Sequence, residues 1–222
     1  MRFRLTYNGS LKATQGTPGP LHTDKRAEHK HTIRREFHRQ LKELWSTNKF
    51  LSTHMMTPAS TSSDSGAFPP RPPATIGAIW GPDPKTLLPM VEVVAGMYST
   101  FGYRFVPLVR KEISLSCSLR VLFMRRDFPA SVLSAGDIDN RLKTLIDALR
   151  MPQVAAEIPS APVSGEDPFF VLLDDDRQIT HLEVETDSAL DAPNPDDKSY
   201  ARIVITVELR PYDVSMFNLS FA

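Results

Sequence analysis

Two short acidic clusters are the residues of this 222-residue chain whose types and spacing could do chemistry. Asp137 and Asp139 stand two residues apart before a predicted helix, and residues 174–176, all Asp, follow an apolar run. In an extended segment, side chains that are two residues apart lie on the same side of the chain. Carboxylate oxygens are the ligands that Mg²⁺ prefers, and a bound divalent cation activates water for phosphodiester hydrolysis. The clusters could therefore form a metal site if the fold brings them together.

Each cluster also has a purely structural interpretation. Asp139 can cap the N-terminus of the following helix, and turns between strands often contain Asp. Three consecutive carboxylates exceed what a turn needs, and their charges repel one another unless a cation compensates them. Lys143 lies one helical turn after Asp139, where it could pair with Asp139 or Asp147 on the surface or direct its charge at the same site. The spacing alone leaves these alternatives open.

Hydrophobic periodicity predicts the elements that must position these residues. The predicted strands are 3–7, 101–109, 113–123, 169–173, 178–186 and 200–209, and the predicted helices are 23–47, 84–99 and 140–150. The last two strands look like a hairpin. This mixture predicts an α+β fold, a mixed β-sheet with flanking helices. The length fits one domain over 1–222, with the Ser-, Thr- and Pro-rich residues 52–73 as a surface loop or linker.

Charge is distributed unevenly although the net charge is zero. Residues 1–50 hold 11 Lys or Arg against 4 Asp or Glu, whereas residues 151–222 hold 4 against 14. The first helix has an apolar stripe (Ile33, Phe37, Leu41 and Leu44) that should dock on the domain and leave basic faces outward. Those faces could contact DNA phosphates, could be merely solvated, or could form a dimer contact. The candidates for phosphate contact are Arg34, Arg35, Arg39, Arg125, Arg126 and Arg141.

Several function classes receive no support from the sequence. His31 and His38 share one helix face, but a zinc site would need further close ligands, so we expect solvated histidines. The single cysteine, Cys117, sits in an alternating apolar run and should be buried. No phosphate-binding loop motif occurs, so no nucleotide cofactor is expected. A secretory signal and an apolar stretch of membrane-spanning length are both lacking, which predicts a cytoplasmic protein without membrane contact.

The residues around the two acidic clusters resemble the motifs of one nuclease family. Residues 136–149, GDIDNRLKTLIDAL, are similar to the D-x-D-N-x-x-K-x-x-x-D-A-L signature of RusA-type Holliday junction resolvases. Residues 173–179, LDDDRQI, resemble the later D-D-x-Q-[IV] motif of that family. The two motifs stand in the family's order, and the resemblance covers roughly residues 113–209.

The resemblance implies roles for particular residues. Asp137, Asp139 and Asp176 match the catalytic, metal-binding aspartates, Asp175 matches the adjacent acidic position, and Lys143 matches the active-site lysine. The family uses Mg²⁺, for which Mn²⁺ could substitute, and acts as a homodimer on branched DNA. The expectation is a structure-selective endodeoxyribonuclease that resolves Holliday junctions in recombination and repair at the nucleoid. The alternatives are a branched-DNA-binding protein that does not cut, or a phage-type nuclease for flaps or forks.

Overall fold

The chain folds into four helices and nine strands within the residues that the structure describes. The structure, a computed structural model, describes residues 1–12, 25–56, 87–125, 137–190, 197, 199–215 and 218–221. The helices are α1 (Lys25–Thr47), α2 (Lys49–Thr53), α3 (Met90–Met97) and α4 (Asp137–Leu149). The strands are β1 (Arg2–Ser10), β2 (Met55–Met56), β3 (Leu88–Pro89), β4 (Ser99–Thr100), β5 (Tyr103–Val109), β6 (Leu115–Arg125), β7 (Phe169–Leu173), β8 (Ile179–Ser188) and β9 (Tyr200–Pro211). The content is α+β, as predicted.

The largest sheet has four strands in the order β1-β9-β6-β8. β9 pairs antiparallel with β1 and β6, whereas β8 pairs parallel with β6. The sheet is therefore mixed, as predicted, but the expected late hairpin is wrong because β6 lies between β8 and β9. Alternation along β8 and β9 indicates which face of each strand is buried. It does not specify which strand is the neighbour, since that depends on the crossover connections.

A smaller sheet of β4, β5 and β7 lies beside the last turn of α4. β5 and β7 run parallel, and every side chain of β7 is buried, which explains the unbroken apolar sequence FFVLL. The backbones of Arg150 and Leu173 form a parallel bridge. This bridge fixes the end of α4 next to the end of β7, where the second acidic cluster begins.

Other element boundaries differ from the prediction in detail. The predicted helix over 84–99 is shorter, because α3 begins at Met90 and Leu88 belongs to the short strand β3. The predicted loop over 52–73 contains the end of α2 and all of β2, while its remainder and the expected helix cap at residues 23–24 lie outside the described residues. None of the described helices is long and apolar enough to cross a membrane.

Helix α1 packs its apolar stripe into the main core, as predicted. Ile33, Phe37 and Leu41 are buried, Leu44 is partly buried, and the helix packs against β1, β7 and α4. The buried side chains of α1 share one core with the inward side chains of the four-stranded sheet, which are Leu5, Tyr7, Leu115, Cys117, Leu119, Val121, Phe123, Ile203, Ile205, Val207 and Leu209. Burial of Cys117, also predicted, raises the pKa of its thiol to about 12.

The expectation of solvated histidines on α1 is wrong, because His31 and His38 are both buried. His38 Nδ1 accepts a hydrogen bond from the Phe170 amide at 2.9 Å, so its Nε2 carries the proton and donates to Gly165 O at 3.2 Å. Both rings stack on Phe169. β7 and its flanking loop supply these partners from more than 120 residues away, which explains why the helix sequence alone suggested solvated side chains.

The buried His31 should make stability depend on pH. Burial lowers its pKa to about 4, below the ordinary value of 6.5, so folding requires the neutral ring. Stability is then complete above pH 6.5 and is lost as the pH falls toward 4. Between pH 7.5 and 5 the free energy of unfolding should drop by about 2 kcal/mol from this group. Urea denaturation at both pH values measures it.

Comparison with His31→Asn isolates this contribution, because that side chain does not titrate. The drop between pH 7.5 and 5 should shrink in His31→Asn and stay the same in His181→Asn, since His181 is exposed. An equal drop in wild type and His31→Asn would show that the buried ring is not the titrating group.

Candidate metal centre and nucleic-acid interface

Four charged residues form one stripe along α4 and its C-terminal end. Asp139, Lys143, Asp147 and Arg150 are separated by four, four and three positions, so they share one side of the helix. Asp139 and Lys143 are exposed, whereas Asp147 is buried. We call these four residues the α4 stripe. It joins residues of the first sequence motif to the region where the second motif begins.

The buried end of the α4 stripe is an ion-pair network. Lys30 Nζ donates to Asp147 Oδ2 at 2.6 Å, and Arg150 Nη2 donates to Asp147 Oδ1 at 3.0 Å. Arg150 also donates to Glu157 Oε1 at 3.1 Å. Burial disfavours the charge on Arg150, but its hydrogen bonds to Glu157 and Asp147 outweigh burial and raise its pKa. Asp147 is thus buried and paired with Lys30 and Arg150, so the predicted surface pair of Lys143 with Asp147 is wrong, whereas the alternative pair with Asp139 stays a prediction.

The second acidic cluster lies at the same end of α4. Asp176 Oδ2 is 3.9 Å from Arg150 Nε, and half of its side chain is exposed. Asp175 Oδ1 accepts a hydrogen bond from the Arg177 amide at 2.9 Å, which holds the pKa of Asp175 below its ordinary value. Asp175 thus caps a single 3₁₀ turn, Asp176–Gln178. The turn interpretation of Asp175 is confirmed, and Asp176 is left on the surface.

Asp174, the first residue of this cluster, is buried with an unusual set of neighbours. Its Oδ1 has no hydrogen-bond partner among the described residues. Tyr98 Oη donates to Glu112 Oε2 at 2.7 Å and lies 3.4 Å from Asp174 Oδ2. Burial, followed by the charge of Glu112, raises the pKa of Asp174. The three aspartates therefore differ: one is buried, one caps a turn and one is free to meet a ligand.

The start of α4 differs from the extended segment that the sequence suggested. The helix already begins at Asp137, so positions 137 and 139 lie about 200° apart around its axis instead of on one side. The expected extended segment at these two positions is therefore wrong, because both belong to the first turn of α4. The Asp137 side chain itself lies outside the described residues, as does the segment 126–136 before it.

The described side chains do not bring the two clusters together. Asp139 and Arg150 are eleven residues apart, so their Cα atoms are separated by about 16 Å along the helix. Asp176 lies at the Arg150 end. Among the described residues, no group of three or more His, Cys, Asp or Glu could hold a metal ion as arranged. The predicted metal site of Asp137, Asp139 and Asp176 stays a prediction, because the side chain of Asp137 lies outside the described residues.

The donor chemistry of the proposed ligands nevertheless fits magnesium. All are carboxylates, which supply the hard oxygen donors that Mg²⁺ and Mn²⁺ take, and no thiolate or imidazole that would favour zinc is among them. Asp139 and Asp176 are both exposed, so their oxygens are accessible to a cation. These residues therefore fit Mg²⁺ in the type of their donor atoms and in their exposure to solvent.

Three of the five described candidates for phosphate contact are not on the surface. Arg34, Arg125 and Arg141 are buried, so the expectation that they face solvent is wrong, and Arg126 lies outside the described residues. Arg34 Nη2 donates to Asp147 O at 3.0 Å, and burial lowers its pKa to about 10. A long side chain beside the apolar stripe of a helix can bend into the contact between two helices when hydrogen-bond acceptors lie there.

Two of the predicted contacts remain accessible. Arg35 is partly exposed and donates from Nε to Glu166 Oε1 at 2.5 Å, while Arg39 is exposed and pairs with Glu36 within the same helix. Arg39 is therefore the only one of the five described candidates that is both exposed and held by no more than a local pair. The basic interface on α1 is smaller than the sequence indicated.

Sequence reasoning missed the roles of Lys30 and Arg150. Asp147 belongs to the first motif, which hinted that it matters, and Arg150 stands three residues later. Lys30 lies 117 residues before Asp147, and no local pattern connects the two. Only the packing of α1 against α4 brings them into contact.

Comparisons with known proteins add no relative. No family model, no curated protein and no solved structure matches the chain. The likeness to RusA-type resolvases accordingly rests on the two motifs alone.

Removing the Asp147 carboxylate should destabilise the fold. Asp147→Ala leaves Lys30 and Arg150 with one anionic partner fewer in a buried setting, which costs about 3 kcal/mol of unfolding free energy. Glu36→Ala is the matched control, because its exposed pair with Arg39 is worth less than about 1 kcal/mol. Urea denaturation of both variants gives the comparison. Equal, small losses would mean that the network contributes little.

Proposed function

We propose that this chain is a Mg²⁺-dependent, structure-selective endodeoxyribonuclease that resolves four-way DNA junctions. One observation carries the proposal: Asp139, Lys143 and Asp147 of the first motif run along one side of α4, and Arg150, which follows the motif, lies 3.9 Å from Asp176 of the second motif. The two motifs, 23 residues apart in sequence, thus adjoin at the C-terminal end of α4.

The chain's own residues would divide the work as follows. Asp137, Asp139 and Asp176 would hold the cation, with Asp175 supporting Asp176 through the turn that it caps. The bound Mg²⁺ would stabilise charge on the phosphate and make water more acidic. Lys143, exposed one turn beyond Asp139, would attract the scissile phosphate and stabilise the charge that develops on it. Lys30, Arg34 and Arg150 would hold α4 and the second motif in register.

Full assembly of this site requires a rearrangement at Asp176. Its contact with Arg150 is 3.9 Å long and half exposed, and such pairs contribute little stability.

The substrate proposal follows from symmetry and from the resemblance. A four-way junction presents two equivalent phosphates, and a two-fold homodimer presents two equivalent sites. The exposed Arg39 on α1 would contact a junction arm without reading its sequence. Such an enzyme would act in recombination and repair at the nucleoid. A non-cleaving junction binder and a nuclease for flaps or forks are the competing functions.

Neutralising the proposed ligands should stop cleavage. Asp139→Asn and Asp176→Asn should each lower the cleavage rate of a labelled junction with Mg²⁺ by about 100-fold or more, a loss of about 2.7 kcal/mol of transition-state stabilisation. Junction affinity should change little, because these carboxylates hold the cation and not the DNA. Gel assays with junction, fork, flap and duplex substrates measure rate and selectivity, and Glu43→Gln on the exposed side of α1 is the control.

The pattern across substrates separates the competing functions. Binding without cutting in wild type would favour the non-cleaving protein, and preferential cutting of flaps or forks would favour the phage-type nuclease. A full cleavage rate in Asp139→Asn would remove the metal-site assignment. Calorimetric titration with Mn²⁺ should show weaker cation binding in both variants than in wild type.

Lys143 should affect turnover more than affinity. Lys143→Ala removes a charge that meets the phosphate during reaction, so turnover should fall roughly tenfold or more while the junction dissociation constant changes less. Lys49→Ala, at another exposed lysine, serves as control. Unchanged turnover in a folded Lys143→Ala protein would favour a surface lysine without a role in the reaction.

A further inference from the structure

The two edges of the four-stranded sheet differ in what occupies them. At the β1 edge, the Gln40 side chain of α1 accepts a hydrogen bond from the Thr6 amide at 2.8 Å and donates one to the Thr6 carbonyl at 2.7 Å. At the opposite edge, β8 pairs with β6 on one side, and no described strand pairs with its other side. We call this outer side of β8, Ile179–Ser188, the β8 edge. Every second residue there turns its amide and carbonyl away from β6, where an added strand could pair with them.

The inward side of β8 is only partly covered by the core. Inward apolar side chains of the two central strands, β6 and β9, are at most 2% exposed. On β8, by contrast, the inward Leu182 is 39% exposed, and Val184 and Thr186 are only partly buried. The reason is that β8 packs against β6, whereas α1 packs against β1 and β7. A segment added at the β8 edge would therefore remove apolar area from water in addition to pairing its backbone.

The outward side chains of β8 give the β8 edge a negative charge. Glu183, Glu185 and Asp187 are all exposed and stand at every second position. Arg120 already engages Glu183 at 3.1 Å, whereas Glu185 and Asp187 form no ion pair with any residue that the structure describes. Opposite charges on neighbouring strands stabilise strand pairing. The two carboxylates near the end of β8 would therefore attract basic side chains on a segment placed beside them.

We propose that the β8 edge binds an extended segment of another protein, in which basic and apolar side chains alternate, as a fifth strand of the sheet. Alternate side chains of a strand point to opposite faces. The basic residues of the segment therefore lie beside Glu185 and Asp187, while its apolar residues cover Leu182 and Val184. Backbone hydrogen bonds supply the affinity, and the alternation supplies the specificity. The proposal goes beyond the nuclease activity, because none of the proposed ligands of the cation lies on β8.

A second copy of the chain and a nucleic acid both fit the β8 edge poorly. Two β8 strands side by side would bring Glu185 and Asp187 close to the same acids of the other copy. The other edge strand, β1, does alternate basic and apolar residues from Arg2 to Leu5, but Gln40 occupies backbone groups on its outer side. The acidic side chains would repel the phosphates of a nucleic acid. A basic segment of a different protein meets none of these obstacles.

Acidic residues on an edge strand also have a purely protective role, because charge discourages unwanted pairing. Protection alone predicts that no added segment binds at the β8 edge, whatever its charge. The proposal predicts that a segment of the right charge and alternation binds there. The exposed Leu182 favours the proposal, since an apolar side chain at an open edge promotes association and does not prevent it.

A short peptide of the proposed pattern tests the β8 edge on the full chain. The probe is the hexapeptide Lys-Val-Lys-Ile-Lys-Val, with blocked termini and a fluorescent label, and fluorescence anisotropy measures its binding. The probe should bind saturably, at least tenfold more tightly than two control peptides. One control, Lys-Lys-Lys-Val-Ile-Val, has the same composition without alternation, and the other, Glu-Val-Glu-Ile-Glu-Val, has the opposite charge. A probe that is N-methylated at every residue keeps its charges but cannot donate backbone hydrogen bonds, so its binding should be lost.

Charge reversal on β8 should reverse the preference between the two alternating peptides. In the variant Glu185→Lys with Asp187→Lys, binding of the basic probe should weaken roughly tenfold or more, and the acidic peptide should bind instead. The matched control, Glu28→Lys with Glu43→Lys, changes two exposed acids of α1 and should bind the basic probe as wild type does. Circular dichroism verifies that both variants fold. Hydrogen exchange should slow at the amides of residues 179–188 of the wild-type chain when the probe is added.

Three results would overturn the proposed interface. The first is no saturable binding of the basic probe up to about 1 mM, which would leave only the protective role of the acids. The second is equal binding of the N-methylated probe, which would mean attraction by charge without strand pairing. The third is slowed exchange elsewhere in the chain but not at residues 179–188. Neither DNA nor Mg²⁺ enters these measurements, so their outcome is independent of the nuclease proposal.

Discussion

Burial of the apolar stripe of α1 is the interaction on which the rest of the structure depends. Ile33, Phe37 and Leu41 pack on the inner face of the four-stranded sheet, while His38 and Trp45 of the same helix meet Phe170 of β7. Each of these side chains removes apolar area from water, and a fully buried one contributes about 1.5–3 kcal/mol. One helix therefore ties both sheets to a common core.

The same helix determines the electrostatics at α4. Lys30 and Arg34 reach from α1 to Asp147, and Arg150 joins Asp147 to Glu157 and Asp176. In a buried setting, each charge is tolerated only because the others compensate it. Arg34, which was expected to meet DNA, is instead a structural part of this network. The exposed part of the α4 stripe, Asp139 and Lys143, is left for contact with a ligand.

The charged residues of the molecule thus fall into a buried group and an exposed group. Charges that hold the fold are buried in pairs between α1 and α4, whereas the outward side of the four-stranded sheet carries exposed charges on all four strands, such as Arg4, Arg210, Arg120 and Glu183. The net charge of zero conceals this arrangement, because an excess of basic residues in positions 1–50 is balanced by an excess of acidic residues in positions 151–222.

The sequence by itself determined the class of fold, the principal strands and helices, and the buried faces. Alternation marks β6 and β9 and the spacing of three and four marks α1, because burial on one side imposes those periods locally. Tertiary structure alone decided that β6 separates β8 from β9, and that His31, His38 and Arg34 are buried. It also decided that Lys30 meets Asp147, and that Asp176 lies beside Arg150 and not beside Asp139. Each depends on partners far away in sequence, and a helix pattern cannot reveal which acceptors will stand opposite its polar side chains. The two motifs suggested a metal site from residue type. Whether carboxylates share one cation depends on the distance between chain segments, which no local spacing encodes.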